Sequence, residues 1–201
     1  MEELLTQLTE ELTKRLFVEM EASGRHVHVT KEQAQILFGH DLTPKRPLSQ
    51  PGQYLAEERV TVVGPKGRME HVAVLGPARS EGQVELSLTD GVSLGLRPPV
   101  RLSGEVSGTP SVTLEGPCGA VTLPQGVIAA QRHIHMTPED AALQKVTNGQ
   151  IVRLKTLTAR PVIFEDVAVR VSPKFRTFVH LDYDEANACG FRSGDLARIL
   201  P

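Results

Sequence analysis

The chain has 201 residues, a formal net charge of −2, 4% aromatic residues and no Trp. That length supports a sizeable core in one ordinary domain or two small ones. The near-neutral charge and the scarcity of stacking side chains argue against a nucleic-acid surface or a partner for anionic membranes.

Residues 3–17 are predicted to form an amphipathic helix, with Leu4, Leu5, Leu8, Leu12 and Leu16 at helical spacing. The favoured reading packs this helix on the body of the protein or on another subunit. A docking peptide is the alternative, but it calls for a flexible linker, and Phe17-Val18-Glu19-Met20 runs straight into a strand-like segment. Glu2, Glu3, Glu10 and Glu11 stand where a signal peptide would place basic and apolar residues. No apolar run is long enough to span a bilayer, so a cytoplasmic protein is expected.

Beyond the helix, 17 Gly and 14 Pro among short aliphatic runs predict many turns between short strands. Val60–Val63 and Val72–Leu75 flank the turn Gly64-Pro65-Lys66-Gly67, and Val112–Leu114 and Ala120–Leu123 flank Glu115–Gly119. Ile151–Leu154 and Val167–Arg170 read as a hairpin with a longer tip. Cys118 and Cys189 belong to no Cys-x-x-Cys pair and are expected to be ordinary reduced thiols.

The pattern Arg25-His26-Val27-His28-Val29-Thr30 returns as Arg132-His133-Ile134-His135-Met136-Thr137. Two His separated by one residue project from the same face of a strand and can grip one metal ion. Short helices should follow, with Thr30 and Thr137 as N-caps, Pro138 in the first turn, and Gln33 and Asp140 three residues after the caps. The repeat continues at a shift of 95 positions: Glu70–Val74 lands on Glu165–Val169, Val84-Glu85-Leu86 on Val179-His180-Leu181, and Gly95-Leu96-Arg97 on Gly190-Phe191-Arg192. The same shift takes Arg79 to Lys174. Two homologous halves, each a small β-barrel, account for this.

Each half thereby supplies a His pair and one later donor: His26, His28 and Glu85, then His133, His135 and His180. Three protein ligands with a position left open is the arrangement of catalytic zinc. His40 and His71 lack this context and are read as surface or structural residues. Arg79, six residues before Glu85, would share a side with it if the segment were extended, and a guanidinium suits a phosphate or carboxylate. Arg25 and Arg132 remain ambiguous. Glu32 and Glu139 complete a His-x-His-x-x-x-Glu string similar to the first metal motif of cupins, although a carboxylate in a first helical turn also suits the helix dipole.

Further segments carry a family resemblance. They are Leu42-Thr43-Pro44 through Pro47-Leu48-Ser49-Gln50-Pro51-Gly52-Gln53, Val63–Arg68, Leu75-Gly76-Pro77-Ala78-Arg79, Val84–Asp90, Gly108-Thr109-Pro110 and Asp184-Glu185-Ala186-Asn187, with the two His-pair motifs. From residue 18 onward the chain resembles the PduL-type phosphotransacylases, which move an acyl group between coenzyme A and inorganic phosphate. The resemblance implies a mainly β fold of two β-barrels with two zinc ions per chain between them. One zinc would take His26, His28 and Glu85 and meet the coenzyme A sulfur; the other would take His133, His135 and His180. Arg79 matches the phosphate-binding arginine.

The implied domains are the helix 1–17, a barrel from 18–24 plus 131–201 with an exchanged strand, and a second barrel from 25–130 with a two-stranded excursion at 37–57. The resemblance also implies propanoyl or acetyl transfer, a homo-oligomer, and association with a bacterial microcompartment engaged in propanediol degradation through the N-terminal helix. It names no coenzyme A contacts. Two rival readings are a cupin-like metalloenzyme using Glu32 and a non-catalytic module braced by zinc.

Overall fold

The computed structural model describes residues 1–200; the side chains of Glu2, Glu3, Leu8 and Glu10, and Pro201 as a whole, lie outside the described residues. The expected amphipathic helix is α1 (Glu2–Leu16), which leaves Leu4, Leu5, Leu12 and Leu16 exposed, while the reading of Leu8 falls on a side chain outside that description. No helix among the described residues is long and apolar enough to cross a membrane.

The chain continues as β1 (Val18–Ala22), β2 (His26–His28), α2 (Lys31–Phe38), β3 (Pro44–Pro47), β4 (Tyr54–Val63), β5 (Arg68–Gly76), β6 (Gln83–Leu86), α3 (Leu88–Leu94) and β7 (Val100–Arg101). It then forms β8 (Val112–Glu115), β9 (Ala120–Leu123), β10 (Val127–Ala130), β11 (His133–Met136), α4 (Pro138–Gln144), β12 (Ile151–Leu157), β13 (Ile163–Val171), β14 (Phe178–Leu181), α5 (Tyr183–Ala188) and β15 (Leu196–Leu200). All three predicted hairpins are present as β4–β5, β8–β9 and β12–β13. The 37–57 segment contributes β3, which pairs antiparallel with the start of β4.

Contacts divide the chain into two units, Gly24–Gln131 and, together, Met1–Ser23 with Arg132 onward. In the second of these the strands close a barrel in the order β1-β14-β11-β13-β12-β15. In the first, the corresponding run β10-β6-β2-β5-β4-β8 has the same order within a nine-stranded curled sheet. Its ends, β7 and β9, do not join. The strand preceding each His pair is exchanged. Thus β1 precedes β2 but pairs parallel with β14, and β10 precedes β11 but pairs parallel with β6.

Each core forms from the inward positions of alternating strands. Val27, Val60, Val62, Val72, Val74, Val84 and Leu114 fill one, and Ile134, Leu154, Val167, Val169, Val179 and Leu181 fill the other. His71 and Asp166, which align in the repeat, both adopt φ near +55° (57° and 53°), so the two halves share a backbone kink as well as a strand order. Gly95 and Gly190 likewise both adopt positive φ where the chain leaves α3 and α5, a conformation glycine takes without a Cβ penalty.

Candidate functional site

The His pairs sit on strands because Val27 and Ile134 must be buried, which turns both flanking imidazoles to the opposite face. Register then delivers the third donor. His26 lies directly across from Glu85 on β6, and His133 lies across from His180 on β14. His26, His28, Glu85, His133 and His135 are only 2% to 8% exposed. Donor atoms of His26, His28 and Glu85 all lie within 4.8 Å of one another, as do those of His133, His135 and His180. Among the described residues these are the two groups able to hold a metal ion.

Backbone carbonyls set the rings of the first group. Nδ1 of His26 donates to Gly24 O at 2.8 Å and Nδ1 of His28 to Leu75 O at 3.3 Å. A carbonyl only accepts, so Nδ1 carries a proton in each ring, and Nε2 is the nitrogen turned toward Glu85 Oε1, 3.5 and 3.8 Å away. Burial disfavours charge here, but the Glu85 carboxylate outweighs it at His26, whose pKa is raised. Burial, with His26 and Arg79 nearby, pushes His28 well below the ordinary imidazole range. Glu85, despite its own burial, is held far below the usual carboxylate range by the two imidazoles and Ser103.

In the second group, His135 Nδ1 and His180 Nε2 are 3.1 Å apart, and Nδ1 of His180 faces Glu21 Oε2 at 3.6 Å. Glu21 comes from the exchanged strand β1, where it pairs directly with His180. Phe175 covers His135 with ring centroids 4.1 Å apart. Buried imidazole triads, one with a carboxylate in place of a third ring, are donor sets that fit a borderline divalent ion such as zinc.

Arg79 does not share a strand with Glu85. It lies in the bend after β5, and its Nη1 donates at 3.0 Å to Ser103 Oγ, which itself donates to Glu85 Oε1 at 2.8 Å. The expected same-side relation through an extended segment is therefore replaced by a link through a hydroxyl from the loop after β7.

Arg25 and Arg132, ambiguous in the sequence, have matching structural roles. Arg25 pairs with Asp90 at 2.9 Å and Arg132 with Glu185 at 2.8 Å, the carboxylates three residues into capping boxes begun by Ser87 and Asp182. Each arginine thus ties its His-pair strand to the helix that follows the third residue of its donor group. Those two helices went unpredicted, although the Ser87-x-x-Asp90 and Asp182-x-x-Glu185 spacings are capping signatures. Thr30 and Thr137 cap α2 and α4 as expected. The Asp140 side chain instead accepts from Thr177.

Glu32 and Glu139 are exposed in first helical turns and belong to neither donor group. The geometry does not favour the cupin-like reading. His40 and His71 are exposed, as is Cys118, while Cys189 is buried and donates to Ala186 O. Gln83, Ser103 and Glu21 escaped the sequence reading. Gln83, two residues before Glu85 and therefore on the same strand face, was the available signal for one of them.

A sequence model of the phosphate propanoyltransferase family matches residues 19–192. A phosphate propanoyltransferase of Listeria monocytogenes is 52% identical over 98% of this chain and 96% of its own length. One of Enterococcus faecalis is 52% identical over 98% and 97%, and one of Thermotoga maritima is 50% identical over 89% and 86%. Similarity of this extent spans both donor groups and Arg79, and the chain belongs to the phosphate propanoyltransferase family of phosphate acyltransferases.

Proposed function

We propose that the protein reversibly transfers a short acyl group, propanoyl or acetyl, between coenzyme A and inorganic phosphate, with one zinc ion held by His26, His28 and Glu85 and another by His133, His135 and His180. The observation that carries this reading is the repeated register of the two triads, His26 across from Glu85 and His133 across from His180. When bound, zinc would supply Lewis-acid stabilisation of the departing thiolate.

The chain's own groups do the rest. Arg79, its guanidinium anchored on Ser103, would bind the phosphate oxygens and offset their repulsion from neighbouring anions. A phosphate oxygen then forms a bond to the thioester carbonyl carbon as the carbon–sulfur bond breaks and the sulfur leaves with its electron pair. Neither Cys118 nor Cys189 belongs to a donor group, and transfer is direct, without an acyl-enzyme. Self-association and enclosure in a bacterial microcompartment are further parts of this reading, and the exposed leucines of α1 are the surface that would serve them.

The test is thiol release from acetyl- and propanoyl-coenzyme A, with and without phosphate, before and after chelation. Phosphate-dependent release that chelation abolishes and zinc restores is expected. Release independent of phosphate, or none with either thioester, overturns the assignment.

A further inference from the structure

The segment Gln83-Val84-Glu85-Leu86 contains a polar residue whose presence the fold does not require. Gln83 sits across the strand pair from His28, and in the other half Phe178 occupies the same place across from His135. The duplicated fold therefore accepts an apolar side chain there. Gln83 is nonetheless 2% exposed, and a buried amide left without partners is costly.

Its amide bonds into the site. Nε2 donates to Glu85 Oε1 at 2.6 Å and to Ser103 Oγ at 2.9 Å, and Oε1 accepts from Gly104 N at 2.8 Å. The network admits one consistent set of protons. A carboxylate accepts only and a backbone N–H donates only, which fixes the amide's orientation. The single Ser103 proton then goes to Glu85, leaving Oγ to accept from Gln83 and from Arg79.

We propose that Gln83 is a positioning residue, one side chain that holds both the carboxylate of Glu85 and the Ser103–Gly104 turn on which Arg79 is anchored. The inference rests on the proposed function for what Glu85 and Arg79 do. It adds that metal retention at His26, His28 and Glu85 and the grip on phosphate are set by the same amide. Groups that orient a metal ligand from outside its coordination sphere change metal affinity about 10- to 100-fold when removed.

The full chain carrying Gln83→Leu tests this, with Ser103→Ala as a second variant, each compared with the parent by zinc competition against a chromogenic chelator and by steady-state kinetics. For Gln83→Leu, one of two zinc equivalents should weaken by about 10- to 100-fold and the phosphate KM should rise while the acyl-coenzyme A KM holds. Ser103→Ala keeps the Gln83–Glu85 bond, so zinc release should shift less while the phosphate KM still rises. A folded Gln83→Leu protein that matches the parent in chelator competition and phosphate KM overturns the proposal. Where Gln83→Leu does not fold, an unchanged phosphate KM in Ser103→Ala overturns it. A parent chain that binds no zinc and shows no phosphorolysis instead sinks the functional reading beneath it.

Discussion

In the half that closes, seven residues or so carry the chain from α5 to β15, and β15 seals the barrel by pairing with β1 (Val18 with Ala197, Glu19 with Leu196). In the other half the corresponding passage from α3 to β8 spans residues 95–111 and includes β7, which pairs with β10 where β15 pairs with β1. The free edge of β8 is taken by β9 instead. The longer passage is what brings Ser103 onto Glu85 and Arg79. An open edge in one copy of a duplicated fold thus leaves room for a loop that the closed copy lacks, and the site chemistry differs between halves at that place. The first triad is braced by Gln83 and Ser103 from its own unit; the second has Glu21, delivered by the exchanged strand.

The triads themselves give the largest expected effects. His26→Ala and His133→Ala should each remove one zinc equivalent per chain by elemental analysis and reduce phosphorolysis to background, because each triad has no donor to spare. Retention of two equivalents in either variant would break the assignment of ligands. Arg79→Ala should lower turnover about 10²-fold or more, the scale of losing one preorganised electrostatic contact. Near-normal phosphorolysis in that variant would remove Arg79 from the reaction. Lys174, its counterpart in the repeat, is exposed and should be replaceable without loss.

Glu21→Gln probes the other brace. A carboxylate behind a ligating imidazole fixes its tautomer and raises its basicity, so this variant should weaken zinc at His133, His135 and His180 by about 10-fold, toward the low end for such groups because the contact is long and the carboxylate partly exposed. Chelator competition should place the change in the second equivalent, whereas Gln83→Leu affects the first. Both variants weakening the same equivalent would contradict the separate bracing of the two halves.

Much of this was legible because duplication prints the ligand set twice. Aligning Glu85 with His180 identified third donors that no single copy would reveal, and the hairpins followed from their Gly- and Pro-containing turns. What stayed hidden depended on contacts across long sequence separations. Ser103 sits in a loop with no counterpart in the other half, so the repeat could not point to it. Arg79 was placed by its separation from Glu85 along an extended chain, but the bend after β5 breaks that extension, and the real link is a hydroxyl 24 positions further on. The exchange of β1 and β10 leaves no local signature, since each pairs as an ordinary strand wherever it lands. Closure of one sheet and not the other was equally invisible, because it turns on which strand occupies a free edge.

The smallest effect concerns the helix caps that follow Glu85 and His180. Ser87 begins one capping box and Asp182 the other, so the closed half sets two carboxylates, Asp182 and Glu185, against the single Asp90 of the open half. Burial, with the neighbouring carboxylates, raises the pKa of both Asp182 and Glu185 even though Arg132 pairs with Glu185. A carboxyl whose folded pKa lies above its unfolded value binds more protons in the folded chain, so its stabilising contribution is present at low pH and is lost as pH rises through the folded value. Asp182→Ser, which copies the cap of the other half, should therefore remove part of that loss. Relative to the parent, the variant should gain stability as pH rises from acidic to neutral, since a serine is as good an N-cap as an aspartate. Denaturant titrations of both proteins at matched pH and zinc content measure the difference directly. A variant less stable than the parent at pH 7 would mean that the dipole and the Arg132 pair outweigh the repulsion, and that the second carboxylate strengthens the closed half.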